Sequence, residues 1–137
     1  MFVAPLPHDN YIDAVAHHLT RLGHEPAQWW TETPDGEQLD GVIIFGDTAN
    51  PDLWAGRVWL GWDQRVGWSL CDDTRTLFSL GVGRYAAPEA VATRAADRLT
   101  GRPDTVVDVG WDGAEALAEA VWKWENSETE QPRDVED

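Results

Sequence analysis

The chain has 137 residues, 42% of them hydrophobic, and 25 acidic against 10 basic residues, which gives a formal net charge of −15. This length fits one domain with an ordinary core, and no apolar run approaches the roughly 20 residues that a membrane-spanning helix needs. The charge opposes direct binding to nucleic acid or to an anionic membrane, and the single cysteine, Cys71, excludes an internal disulfide and a cysteine-based zinc site.

The acidic residues are concentrated near the end of the chain. Residues 104–137 hold 11 of the 25 acids and 2 of the 10 basic residues. Such a surface can serve solubility alone, or it can attract a basic partner, and both explanations stay open. The first residues lack the basic start and apolar stretch of a signal peptide, so we expect a cytoplasmic protein.

The first predicted element is a helix over residues 10–22, with Asp9 as the N-cap. Its apolar residues recur at helical spacing, and Gly23 can end it in the left-handed conformation. Asp13 and His17 lie one turn apart and could hold a metal, but no further ligands can be placed beside them. We therefore expect both to be surface residues, and no metal site is predicted.

Five strands are predicted next, as an antiparallel meander over residues 27–32, 38–45, 57–62, 66–71 and 75–80. The turn Pro34-Asp35-Gly36 joins the first two strands, because proline presets φ and glycine accepts a positive φ. A polar loop follows at residues 46–52.

Alternation predicts the register of the third and fourth strands. An odd number of loop residues places Trp62 and Trp68 on one face, together with the other apolar residues of the hairpin. A two-residue loop would split that face. The reverse face then carries Arg57 and Trp59 over small neighbours, which are Gly61, Gly67, Ser69 and Cys71.

Two helices complete the predicted domain. One runs from Pro88 to about Leu99 and ends at Gly101, and the other begins at Asp112 with a capping box. Residues 1–125 are expected to form one domain and residues 126–137 a disordered acidic tail. The order α-β-β-β-β-β-α-α predicts an α+β fold, with an antiparallel sheet of four to five strands and the helices packed on one face.

No catalytic residue or cofactor is predicted, and we do not expect an enzyme. The pair Asp72-Asp73 ends a strand and favours a turn. The segment Gly81-Val-Gly83-Arg84 lacks the full dinucleotide and Walker patterns, so it is typical of a flexible turn. Cys71 has no activating partner in the sequence and is expected to be a small strand hydrophobe.

Nine tryptophans and the arginines beside the strands are the strongest indication of a binding site, since both residue types are frequent in hot spots and stacking pockets. About five to seven of the indoles are expected to serve mainly in the core. Trp54, Trp59 and one of Trp29 and Trp30 are expected to be exposed or half-exposed. The candidate binding residues are Trp59, Arg57, Trp54 and Arg84.

The segment Trp62-Asp63-Gln-Arg-Val-Gly67-Trp68 lies between two strands, and a helix from Pro88 ends in Leu99-Thr-Gly101. In these motifs the chain resembles a family of small actinobacterial domains of unknown function with a Trp-Asp-x-x-x-Gly-Trp hairpin. The resemblance covers residues 58–101 and the helix and Trp-bearing strand before them. It departs in the loop at 46–54 and beyond residue 104. It implies a shared fold and source, and no activity.

Three functions are compatible with these features. The first is a non-enzymatic binding or adaptor protein that uses the Trp59 and Arg57 face to meet a protein partner or a second copy of the chain. The second is an acidic inhibitor or immunity-type protein that blocks a basic nuclease or nucleic-acid-binding protein. The third is a small-ligand pocket lined by Trp54, Trp59 and Arg84.

Overall fold

A computed structural model describes residues 6–33, 38–45, 54, 56–105, 111 and 113–135, and the side chains of these residues up to Asn126. Three helices and five strands lie in this part of the chain. In order they are α1 (Asp9–Arg21), β1 (Gln28–Glu32), β2 (Asp40–Ile44), β3 (Val58–Asp63), β4 (Gly67–Asp72), β5 (Leu77–Ser79), α2 (Pro88–Thr100) and α3 (Gly113–Val135). The predicted turn at 34–36, the loop at 46–52 and the cap at Asp112 lie outside the described residues.

The five strands form one antiparallel sheet in the order β1-β2-β3-β4-β5. Each strand pairs with the next one in the chain, so the sheet is a simple meander. Apolar side chains from one side of it join those of the helices in a single core. This α+β layout confirms the predicted fold class.

The prediction that Trp62 and Trp68 share one face of the sheet is confirmed, although predicted strands over 57–62 and 66–71 would pair Trp62 with Val66. Trp62 lies opposite Trp68, and Leu60 opposite Leu70. The turn between the strands has three residues, Gln64 to Val66, so the odd loop length is correct. The predicted strand over residues 66–71 includes Val66, but this residue lies in the turn and is 70% exposed, because β4 begins only at Gly67.

The inner face of the sheet is the side against which the helices pack. Ile43, Leu60 and Leu70 lie in neighbouring strands on this side and are fully buried. α1 crosses β2 at Gly41, where an added Cβ would lie 2.5 Å from Cδ1 of Ile12. A glycine at this strand position therefore lets the helix approach the sheet closely.

The start of α1 differs from the prediction. His8 occupies the N-cap position and makes no side-chain cap, while Asp9 is the first helical residue. The carboxylate of Asp9 instead accepts hydrogen bonds from the backbone N–H of Leu6 at 2.9 Å and from the hydroxyl of Thr31. Asp9 thus fastens the chain before the helix to β1, and it is not the N-cap.

The bounds of α2 agree with the prediction, whereas α3 ends later than predicted. α2 begins at Pro88 and ends at Gly101, whose φ of 75° is left-handed as expected. α3 extends to Val135, beyond the expected end near residue 125. The division of the chain into a domain at 1–125 and an acidic tail stays a prediction. None of the described helices is long and apolar enough to cross a membrane.

Candidate functional site

The outer face of the sheet, defined here as the side away from the helices, is the candidate site. Strand pairing arranges its side chains in rows across the strands. One row is Gln28, Ile44, Trp59, Cys71 and Leu77, and the next is Trp30, Val42, Gly61, Ser69 and Ser79. Large apolar residues therefore occupy β1, β2 and β3 on this side, and glycine or small residues lie beside them.

This face is only partly covered. Trp30, Val42, Ile44 and Trp59 are half-buried by their neighbours in the sheet, and Leu77 is 69% exposed. Among the described residues, the helices contribute to the core on the opposite side. The outer face is therefore an apolar surface over which the described part of the chain places no helix.

Two shallow cavities flank Trp59. One, of about 250 Å³, lies over Gly61, Ser69 and Cys71, and the other, of about 300 Å³, is lined by Trp30, Val42, Ile44, Arg57 and Trp59. A Cβ added to Gly61 would meet no atom within 4 Å. The indole of Trp59 thus forms a wall between two depressions, and one of them has a glycine floor that leaves room for a foreign side chain.

One end of the outer face is acidic. Glu32, Asp40 and Asp63 lie side by side on β1, β2 and β3, and we call them the acidic row. Their carboxylates accept hydrogen bonds from neutral donors, namely the indole N–H of Trp30, the amide of Gln38 and the backbone N–H groups of Arg65 and Val66. Within the described residues, no arginine or lysine forms an ion pair with this row.

The structure brings Trp59 and Arg57 together on the outer face, where both line the same cavity. Trp54 was expected to be exposed or half-exposed, and this prediction is wrong. Its side chain is only 8% exposed, its indole N–H donates to the carbonyl of Arg98 at 3.3 Å, and its ring lies edge-on to Phe78. Trp54 therefore packs between α2 and β5, away from Trp59.

Arg84 lies apart from both cavities of the outer face. Its guanidinium donates to the carbonyl of Gln64 at 2.7 Å and lies 5.8 Å from the ring centre of Tyr85. Its own carbonyl accepts the indole N–H of Trp62 at 2.7 Å. Arg84 thus joins the β3–β4 turn to the loop before α2, and the described cavities do not unite Trp54, Trp59 and Arg84 in one pocket.

An aromatic cluster on the inner side explains why several indoles are unavailable to a partner. The hydroxyl of Tyr11 donates to the carbonyl of Ala86 at 2.6 Å and accepts from the indole N–H of Trp68 at 3.0 Å. The ring of Tyr11 stacks on Trp111, 5.1 Å between ring centres. Burial raises the pKa of Tyr11, and the hydrogen bond from Trp68 opposes this shift only in part. These groups hold α1, β4 and the loop before α2 together.

His8 is a buried titratable residue that sequence analysis does not single out. It is fully buried, its ring lies 5.2 Å from that of Trp62, and its Nε2 is 2.7 Å from the carbonyl of Asp40. Nδ1 is buried without a hydrogen-bond partner among the described residues. Burial lowers the pKa of His8, although the carbonyl and the carboxylates of Asp9 and Asp40 act in the opposite direction.

The groups that could suggest chemistry have structural partners. The side chain of Asp72 accepts hydrogen bonds from Thr74, and Asp73 accepts one from the backbone N–H of Arg57 at 3.1 Å, as expected for a turn. Nδ1 of His17 forms a hydrogen bond with the backbone carbonyl of Asp13, 2.8 Å away. Burial raises the pKa of the Cys71 thiol, which disfavours a thiolate. In the described ranges, no group of three or more potential ligands could hold a metal.

Sequence reasoning missed part of the outer face. Val42, Ile44 and Leu77 were not assigned to it, because the run from Val42 to Phe45 is apolar on both sides of β2 and gives no alternation. Only the pairing of β2 with β3 decides which of these side chains lie beside Trp59. Trp122 on α3, 61% exposed, was also missed.

Comparisons of the chain with protein-family models, with curated proteins and with solved structures found no match. The resemblance to a family of small actinobacterial domains therefore stays a prediction.

Proposed function

We propose that this chain is a non-enzymatic, cytoplasmic binding or adaptor protein that meets a protein partner through the outer face of its sheet. The observation that carries the proposal is the exposed apolar surface around Trp59, with Arg57 beside it. Contiguous exposed apolar surface, rimmed by polar residues, is typical of interaction sites on soluble proteins.

The two depressions beside Trp59 support this function. Hot spots of interfaces are aromatic residues and arginines that pack into pockets of the partner while small neighbours admit the partner's side chains. Trp59 projects between two cavities, and Gly61 leaves one of them open. A strand face is also rigid, so little conformational entropy is lost when it binds.

An acidic inhibitor of a basic protein is the second candidate, and the acidic row favours it. Direct binding to nucleic acid or membrane is not proposed, since a net charge of −15 opposes both. A small-ligand pocket lined by Trp54, Trp59 and Arg84 is not proposed, because these three residues do not line a common cavity.

The test uses a substitution that fills the face without disturbing the fold. Gly61→Val places a branched side chain in open space on the outer face. Gly83→Val is the matched control, since a Cβ there also meets nothing within 4 Å and Gly83 lies in the loop before α2. Tagged wild type and both variants are used for affinity capture from a lysate of the source organism, and bound proteins are identified by mass spectrometry.

We expect a protein that is retained by the wild type and by Gly83→Val but lost with Gly61→Val and with Trp59→Ala. Light scattering of the purified chain at two concentrations, for wild type and Gly61→Val, tests a second copy as the partner. If neither a captured protein nor self-association changes with Gly61→Val, the outer face is not the binding surface.

A further inference from the structure

We infer that the outer face binds a basic polypeptide segment, one that carries an apolar anchor for the cavity over Gly61 and a lysine or arginine for the acidic row. This inference rests on the proposed function and adds the chemistry of the partner. Its basis is the arrangement of charge around the apolar surface.

The acidic row lies directly next to the apolar cavity. Asp40 and Asp63 line the same depression as Trp59 and Gly61, so a side chain seated over Gly61 has two carboxylates beside it. Adjacent strands lie about 4.8 Å apart, so three carboxylates in one row create a strong local negative potential. With no cation paired to them in the described part of the chain, this potential is available to a partner.

Arg65, the basic residue that follows Asp63 most closely in the sequence, does not neutralise the row. Arg65 lies in the turn next to Asp63, but only its backbone N–H contacts that carboxylate. Elsewhere the protein does pair its acids, as with Arg98, which makes two hydrogen bonds to Asp104 at 2.8 and 3.0 Å. The acidic row is thus unlike the helical side of the molecule, where arginines approach Asp97 and Asp104.

The outer face also carries opposite charges at its two ends along β3. Arg57 lies just before β3 and Asp63 at its end, so six residue steps of roughly 3.3 Å separate the positive and negative ends by about 20 Å. A segment that complements both ends needs its basic residue at one end and an acidic or neutral residue about six positions away, if it is extended. A second copy of the chain fits less well, because two molecules of net charge −15 repel each other.

The test starts from a displayed library of random decapeptides, selected on the wild-type protein and counter-selected on Gly61→Val. We expect enriched peptides to carry lysine or arginine next to an aromatic or aliphatic residue and to have a positive net charge. Enriched peptides without a positive charge overturn the basic partner but leave the outer face as a binding surface. If no peptide is enriched in a way that depends on Gly61, the inference fails, whereas the proposed function is decided separately by the affinity capture with Gly61→Val.

An enriched peptide is then titrated against two isosteric double variants at low salt. Glu32→Gln/Asp40→Asn removes two carboxylates of the acidic row and keeps hydrogen-bond acceptors, while Glu25→Gln/Glu89→Gln removes the same charge from exposed sites elsewhere. We expect the dissociation constant to rise roughly 3- to 10-fold for the first variant, as for the loss of two half-exposed ion pairs, and to change less than 2-fold, about 0.4 kcal/mol, for the second. Equal effects of the two variants contradict a specific role for the row.

Discussion

Trp59 and Trp62 differ by three positions on β3 and lie on opposite faces of the sheet. Trp62 is 2% exposed, and its indole N–H donates a hydrogen bond to the carbonyl of Arg84. The buried surface and the hydrogen bond of this indole therefore stabilise the fold and are not available to a partner. Trp59 is half-buried between two cavities. Part of its apolar surface therefore remains in water and can stabilise a complex when it is buried.

This contrast predicts different costs for the same substitution. We expect Trp62→Ala to lower the free energy of unfolding by about 3–5 kcal/mol, as for a large core residue, and Trp59→Ala to lower it by only about 1–2 kcal/mol. Urea unfolding followed by far-ultraviolet circular dichroism measures both, independently of the lost indole fluorescence. Equal losses would mean that Trp59 is as much a core residue as Trp62.

A second prediction at the residue scale concerns the hydrogen bonds of the Tyr11 hydroxyl. Tyr11→Phe removes the acceptor for Trp68 and the donor for the carbonyl of Ala86, leaving a buried indole N–H without a partner. We expect a loss of about 1–3 kcal/mol in the free energy of unfolding. Tyr85→Phe is the control, because its hydroxyl makes no hydrogen bond with the described residues and its ring is half-buried. If Tyr85→Phe costs as much, the hydrogen bonds of Tyr11 are not the cause.

At the level of elements, the glycines of β2 and β3 lie on opposite faces of the sheet. Gly41 lies under α1, and Gly61 lies under open space. They occupy neighbouring strands and are one residue out of register, since Gly41 pairs with Trp62 and Val42 with Gly61. The same chemical change at the two positions therefore reports on opposite sides of one sheet.

We expect Gly41→Ala to lower the free energy of unfolding by about 1–3 kcal/mol, because the added methyl overpacks the contact with Ile12. Gly61→Ala should leave it unchanged or raise it by up to about 1 kcal/mol, since alanine restricts the unfolded chain and meets no neighbour. Thermal melts and urea titrations of both variants give the comparison. A destabilised Gly61→Ala would show that something covers the outer face.

Much of the element pattern could be predicted from the sequence, because it depends on local rules. Trp62 and Trp68 alternate with small residues, so burial of one face places both indoles on the inner side of the sheet, and Pro88 and Gly101 mark the ends of α2 through their backbone preferences. Trp54 could not be placed in this way. It belongs to no described helix or strand, so periodicity does not act on it, and its burial depends on tertiary contacts with α2 and Phe78.

The candidate site could be predicted only in part, for the same reason. Trp59 and Arg57 follow from the alternation of β3. The acidic row requires the pairing of three strands, and Arg84 was misplaced because its guanidinium bonds a carbonyl 20 residues away. Features that combine distant segments need the fold before they become visible.

At the scale of the whole molecule, stability should depend on pH through two histidines, the buried His8 and the partly buried His24. Burial lowers the pKa of His8, and burial together with Arg102 lowers the pKa of His24. In the unfolded chain both titrate near their ordinary value of 6.5. For each histidine, at a pH between its pKa in the folded state and its pKa in the unfolded state, the unfolded chain binds more protons than the folded one. Acidification therefore favours unfolding.

We therefore expect the free energy of unfolding to be at its full value above pH 6.5 and to fall as the pH is lowered towards 5, by at most about 1.4 kcal/mol per pH unit for His8 and by less for His24, whose partial exposure weakens the effect. His8→Gln should flatten this dependence, because glutamine does not titrate and its amide can donate to the carbonyl of Asp40. His24→Gln should flatten it less, because His24 is only partly buried. Urea titrations from pH 7.5 to 5 measure the slopes. A wild-type slope that is flat or of opposite sign would show that His8 accepts a proton in the folded state, through Nδ1.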